Sequence, residues 1–268
     1  MQSTSYRRVW AALSFVLLCL PAAPRAEQRV TQPFLGVTYI DRTEAEPRAV
    51  HMHIVRIDLT APGLRFTLSP PDGIRETVRQ TTLAFLKQEH AQVAVNAHFF
   101  LPFPSKDRDA WLVGLAASEG RVYSAFETPE QDFALVADAP ALNIDPANHA
   151  TIVHRDRTRS DGTHVMEAVT LWTTVAGSAQ IVTGGVKSVP GLAWYEAVQA
   201  RTAIGLSKDG RTLTLFTVDK SDGSLGMQVG EVADVLLRDY GVADALNLDG
   251  AARRAWRWRT RRRTPRGW

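Results

Sequence analysis

Four short stretches of this chain carry residue types able to do chemistry together. They are Asn96-Ala97-His98, Arg201-Thr202, Val218-Asp219 with Glu231 further on, and Asn247-Leu248-Asp249-Gly250. A guanidinium such as Arg201 donates two parallel hydrogen bonds to the oxygens of a phosphate. A carboxamide such as Asn96 both donates and accepts, and His98, two residues on, shares its side if the strand continues. Paired carboxylates supply the acid and the anion of glycoside cleavage, and Asp249, Glu231 and Asp219 are the candidates. Asp249 stands after an apolar strand and before a glycine, a strand-end loop position of the kind that carries binding and catalytic groups. Plainer readings stand beside these: a surface arginine before a strand, an Asp-Gly turn, a strand histidine, and for Glu231 a partner of its helix dipole.

The elements that must position these residues follow from the apolar pattern. Val50 to Leu59 alternates and predicts a strand, with a second expected over Leu64 to Ser69 after Ala61-Pro62-Gly63. Thr77 to Glu89 reads as a helix leading to a buried strand at Val93 to Val95, which delivers Asn96. Short strands are expected at Leu112 to Leu115, Arg121 to Ser124, Phe133 to Val136, Leu142 to Ile144, Glu167 to Thr173 and Ile181 to Thr183. The polar run His154 to Thr163 reads as an exposed loop. Thr202 to Leu206 and Thr212 to Val218 flank Lys208-Asp209-Gly210 and predict a hairpin. Val229 to Tyr240 is a helix stopped by Gly241, and Ala243 to Leu248 a strand that carries Asp249 to its end. Few helices among many strands predicts an α+β fold with mixed sheets in a single domain.

Taken in order, Val93-Ala94-Val95-Asn96-Ala97-His98-Phe99-Phe100, Arg201 to Gly210, Val218-Asp219, Gly226-Met227, Glu231 and Ala245 to Gly250 resemble the phosphodiester glycosidase family. That family is named for the N-acetylglucosamine-1-phosphodiester α-N-acetylglucosaminidase, and its bacterial members are often described as exopolysaccharide biosynthesis proteins. The resemblance spans about residues 36 to 250 and rests on the order of the pieces. It implies hydrolysis of glycosyl phosphodiesters on envelope or extracellular glycans. Asp249, Glu231 and Asp219 would be the catalytic carboxylates, and Asn96, His98, Arg201, Thr202, Asn247 and Gly250 would contact substrate. Two departures stand out: His98 replaces a common glycine, and the family's closing D-G-G-G-S-x-x-M stops after its first glycine.

The residues after that glycine differ from everything before them. Residues 251 to 268 hold eight arginines and no acid, and taking those eight charges from the overall +3 leaves −5 for residues 1 to 250. Read one base out of register, the arginine, alanine and tryptophan codons of this tail can spell Gly-Gly-Ser-Thr-Ser-Met-Ala. The expectation is therefore an out-of-frame tail and a chain impaired by loss of its glycine loop. A nucleic-acid-binding arm is the rival reading of such a basic block, and the secretion signal argues against it. Residues 1 to 26 read as that signal, with Arg7 and Arg8 before the short apolar run Val9 to Leu20. A periplasmic or secreted protein is expected, with no membrane attachment after cleavage. The sole cysteine, Cys19, falls within the signal, which leaves the mature domain of residues 27 to 250 without thiol chemistry. No nucleotide-binding or serine-hydrolase signature is present, so no cofactor is expected. His51 and His53 share a strand face, yet no third ligand is suitably spaced in sequence, and no metal is expected. A non-catalytic protein binding anionic polysaccharide through the same residues is the alternative to the enzyme.

Overall fold

The computed structural model describes residues 26–127, 137–221 and 223–250, together with the backbone of 257–258. The signal segment, the strand expected at Phe133 to Val136 and nearly all of the tail lie outside these residues. The chain opens with a meander of β1 (Glu27–Phe34), β2 (Val37–Glu44) and β3 (Val50–Asp58). Short pieces follow: β4 (Thr77–Val78), α1 (Thr82–Gln88), β5 (Val93–Ala94), β6 (Phe100–Leu101), β7 (Asp109–Leu112), β8 (Ala116–Ser118) and β9 (Arg121–Ser124). Next come β10 (Ala141–Ile144), β11 (Ala150–Val153), β12 (Thr173–Ala176), β13 (Ala179–Thr183), β14 (Val186–Lys187) and α2 (Ala193–Glu196). The last part holds β15 (Arg201–Ser207), β16 (Thr212–Val218), α3 (Val229–Tyr240), β17 (Val242–Leu248) and β18 (Arg257–Trp258).

Eight of these strands form one sheet in the order β1-β2-β3-β16-β15-β17-β13-β14, and five form a second in the order β11-β10-β12-β8-β9. A three-stranded sheet in the order β4-β7-β6 and the pair β18-β5 complete the ladders. The large sheet is the middle layer of three. On one face α3 lays down Val229, Val232, Ala233 and Leu236 against Met52, Ile54, Ala203 and Phe216. On the other, Val55, Leu215, Ile204 and Leu246 meet Leu142 and Val175 of the five-stranded sheet. Because β15 and β16 are covered on both faces, nearly every residue in them is buried, threonines included. Helical periodicity sets the α3 stripe. Its start is held by the Glu231 carboxylate accepting the Gln228 N–H at 2.8 Å, and its end by Gly241 at φ 63°. The β15–β16 hairpin turns at Gly210, φ 68°, as the Asp-Gly pair predicts.

Several local expectations shift for tertiary reasons. Leu64 to Ser69 is not a strand: Leu64, Phe66 and Leu68 pack onto the core between the sheets, but the backbone joins no ladder. The α1 helix starts only at Thr82, where the Thr81 hydroxyl accepts the Ala84 N–H at 3.1 Å, because Thr77 and Val78 pair with β7 instead. The strand expected from Glu167 begins at Thr173. Of the strand expected at Leu112 to Leu115 only Leu112 joins a ladder, at the end of β7, and the rest, with Gly114 at φ 89°, connects β7 to β8. The polar run from His154 is a loop, as expected.

Candidate functional site

One register row across the large sheet organises the site. Leu248 pairs with Thr202, Thr202 with Thr217, Thr217 with His53, and His53 with Asp41. Directly paired residues share a face, and this face is the one turned toward the five-stranded sheet, just past the end of its apolar core. Asn96, in the segment following β5, closes over it. Its Nδ2 donates to the Asp249 carbonyl, and its Oδ1 accepts from the Thr202 hydroxyl at 3.2 Å. The Asp249 N–H in turn donates to the Ala97 carbonyl at 2.9 Å. Asn96, Thr202 and Asp249, separated widely in sequence, therefore form one triangle at the sheet end, two of its sides being hydrogen bonds made by Asn96.

Gly250 belongs to the same corner. A Cβ there would lie 2.4 Å from the Ala200 carbonyl oxygen and 2.7 Å from the Arg201 Cα. Such an approach is open only to glycine.

Arg201 sits beside the triangle but leaves its strand on the opposite face. It is buried, with Nε donating to the Met227 carbonyl at 3.1 Å and Nη2 to the carbonyls of Trp194 at 3.0 Å and Ala197 at 2.5 Å. Burial pushes its guanidinium below the usual arginine range. The fork expected to grip phosphate is thus committed largely to main chain. Asn247 points to this same helix-side face: it is buried, and its Nδ2 donates to the Ser178 hydroxyl, which contacts Tyr195 Oη at 2.7 Å.

Glu231 is held at the start of α3 by the Gln228 N–H and by an ion pair with Arg48, the arrangement of a helix cap. Asp219, the first residue after β16, lies with Oδ2 3.5 Å from His53 Nε2.

His98 turns toward the five-stranded sheet. Its Nε2 accepts the Ala176 N–H at 3.0 Å and lies 3.2 Å from the Leu115 carbonyl, so the ring bridges the residue before β8 and the end of β12. The acceptor role puts the proton of the neutral ring on Nδ1. Loss of hydration on burial pushes its pKa down to about 4. The unfolded chain, with an ordinary value near 6.5, then takes up the proton first. This contribution to stability is complete above pH 6.5 and declines as the pH falls toward 4, by about 3 kcal/mol. Urea unfolding of the parent and of His98→Gln at pH 7 and pH 4 checks this: the parent should lose about 3 kcal/mol more than the variant. Equal losses would refute it.

The sequence pattern missed Asp41 and Tyr39, which β2 brings against the two histidines of β3. The His-x-His alternation was the legible half of that cluster; the carboxylate came from another strand.

The phosphodiester glycosidase family matches residues 89–265. Among curated proteins there is no match. Several solved structures share the fold. The catalytic domain of zebrafish N-acetylglucosamine-1-phosphodiester α-N-acetylglucosaminidase, auto-inhibited by its pro-peptide, is 18% identical with a TM-score of 0.55, covering 84% of this chain and 75% of its own. A Burkholderia pseudomallei K96243 protein is 13% identical with a TM-score of 0.56, covering 91% and 94%. A Synechocystis protein is 15% identical with a TM-score of 0.51, covering 86% and 63%. The family match spans well over half of the sequence and includes every corner of the Asn96, Thr202 and Asp249 triangle: this chain belongs to the phosphodiester glycosidase family.

Proposed function

We propose that this protein hydrolyses glycosyl phosphodiesters, cleaving a sugar from its 1-phosphate linkage, on envelope or extracellular glycans. The observation that carries the reading is the convergence of Asn96, Thr202 and Asp249 at one sheet end in a member of this family. Such a reaction needs a rigid polar corner beside the anomeric carbon, where positive charge develops as the phosphate leaves. Asn96 orders that corner, because one amide ties the Asp249 main chain to the Thr202 hydroxyl. Asp249 and Asp219 are the carboxylates at this end of the sheet, and Arg201 supports the corner from the opposite face. The basic n-region and short apolar run at the N-terminus support secretion or a periplasmic location.

The test is release of free sugar from a UDP-sugar or a synthetic sugar-1-phosphodiester. Asn96→Ala removes both ends of the bridge while leaving the β-sheet ladders untouched, and a fall in kcat/KM on the order of 100-fold is expected. Saturable binding of the phosphodiester without turnover would instead favour a polysaccharide-binding protein. Turnover unchanged in Asn96→Ala would end the assignment of this corner.

A further inference from the structure

The row that begins at Thr202 ends in a second cluster. On β3, alternation places His51 and His53 on one face with ring centroids 4.2 Å apart. From the neighbouring strand, Asp41 Oδ1 reaches to 2.6 Å of His51 Nε2, and Tyr39 Oη lies 2.8 Å from His53 Nδ1. From the end of β16, Asp219 presents Oδ2 at 3.5 Å from His53 Nε2 and 4.0 Å from His51 Nδ1. Its own amide donates to the His51 carbonyl at 3.0 Å, which anchors that carboxylate to the histidine strand.

We infer that His51, His53 and Asp219 bind a divalent transition-metal ion of the zinc class, with Asp41 and Tyr39 orienting the two imidazoles. Zinc holds nitrogen and oxygen donors at about 2.0–2.1 Å in a tetrahedron, which puts any two donors roughly 3.4 Å apart. The 3.5 Å between His53 Nε2 and Asp219 Oδ2 already has that spacing, and the 4.0 Å to His51 Nδ1 needs a closure of about half an ångström.

The remaining ring nitrogens behave as metal-site histidines require. The Asp41 carboxylate on His51 Nε2 and the Tyr39 hydroxyl on His53 Nδ1 occupy one nitrogen of each ring, which leaves His51 Nδ1 and His53 Nε2 facing Asp219 as the donor atoms. If the ion shifts toward β2, Asp41 can itself ligate, since one donor atom each from Asp41, His51 and His53 lies within 4.8 Å of the others. The four side chains are partly exposed, leaving a coordination position open to water or to an anionic oxygen. The two-His, one-carboxylate donor set suits zinc, and disfavours calcium or magnesium, which take oxygen ligands.

The ion would lie beside the Asn96 corner. His53 and Thr202 stand two strands apart in one row, on the order of 10 Å. Between them Thr217 carries a buried hydroxyl without a hydrogen-bond partner. Binding of the metal does not depend on the proposed hydrolysis and is measured without it.

The experiment uses the untagged full chain, stripped with chelator and titrated with Zn2+ alone by calorimetry, with metal content read after dialysis. One ion per chain is expected, together with a rise in Tm of roughly 5 °C or more at a hundred-fold excess over Kd. His51→Ala and His53→Ala should each weaken binding by at least about 100-fold, and Asp41→Asn by about 10- to 100-fold. His154→Ala, which removes a separate exposed histidine–carboxylate pair, should leave it unchanged. Should a histidine variant fail to fold, histidine ring NMR of the parent decides instead, with the His51 and His53 signals shifting on Zn2+ addition. Absence of saturable binding, binding as tight in the His51→Ala and His53→Ala proteins as in the parent, or shifts confined to other histidines would each overturn the proposal.

Discussion

Replacing Arg201 by methionine will lower the Tm by on the order of 10 °C. The side chain is buried and its guanidinium bonds to the carbonyls of Met227, Trp194 and Ala197, so it binds the α2 turn and the segment before α3 to the edge of the central strand. Methionine matches the bulk but donates nothing. Each buried carbonyl that loses its donor costs about 1–3 kcal/mol. The Met227 carbonyl keeps a second donor in the Gln199 N–H at 3.2 Å, so the total is about 3–5 kcal/mol rather than three full penalties. For a protein of this size 1 kcal/mol shifts Tm by about 2–4 °C. Arg201→Lys should recover little, because a single ammonium cannot span carbonyls approached by both Nε and Nη2. A thermal melt of Arg201→Met within about 2 °C of the parent would show that these bonds are not what holds the corner. Sugar release adds a second readout: activity lost in proportion to the unfolded fraction marks a positioning residue, whereas loss in the fully folded variant marks direct contact with phosphate.

Gly250→Ala will remove activity by on the order of 100-fold or more and destabilise the fold by about 1–3 kcal/mol. The new methyl group would meet the Ala200 carbonyl oxygen at 2.4 Å, the Arg201 Cα at 2.7 Å and the Ala200 carbonyl carbon at 3.0 Å. All three are main-chain atoms, so no flexible side chain can yield. The chain must move, and the residue before it, Asp249, is the one tied to Asn96 and Ala97. Displacing that carbonyl by even 1 Å breaks the triangle. Gly191→Ala is the matched control, since nothing lies within 4 Å of its added Cβ, and it should melt at or slightly above the parent temperature. Equal kcat/KM in Gly250→Ala and the parent would mean that the Asp249 corner does not position the reacting groups.

Much of the architecture was legible in the chain. The β15–β16 hairpin, α3 with its stop at Gly241, and β17 delivering Asp249 to a strand end all follow from local patterns with strong punctuation. Segments without such punctuation moved. Thr77 and Val78 look helical in isolation yet pair with β7, and Leu64 to Ser69 alternates like a strand yet finds no ladder partner. In both cases long-range pairing, which local pattern does not encode, made the decision.

The sequence by itself determined which residues could do chemistry, that the fold is α+β, and that Asn96, Arg201 and Asp249 stand at or just beyond strand ends. Only the tertiary structure decided which way they face. β15 is buried on both sides, so alternation separates Arg201 from Thr202 without saying which of them joins Asn96. Strand order then brought Asp41 and Asp219 from flanking strands to the His51-x-His53 pair, a neighbourhood that spacing along one strand cannot reveal because each strand contributes only one part of it.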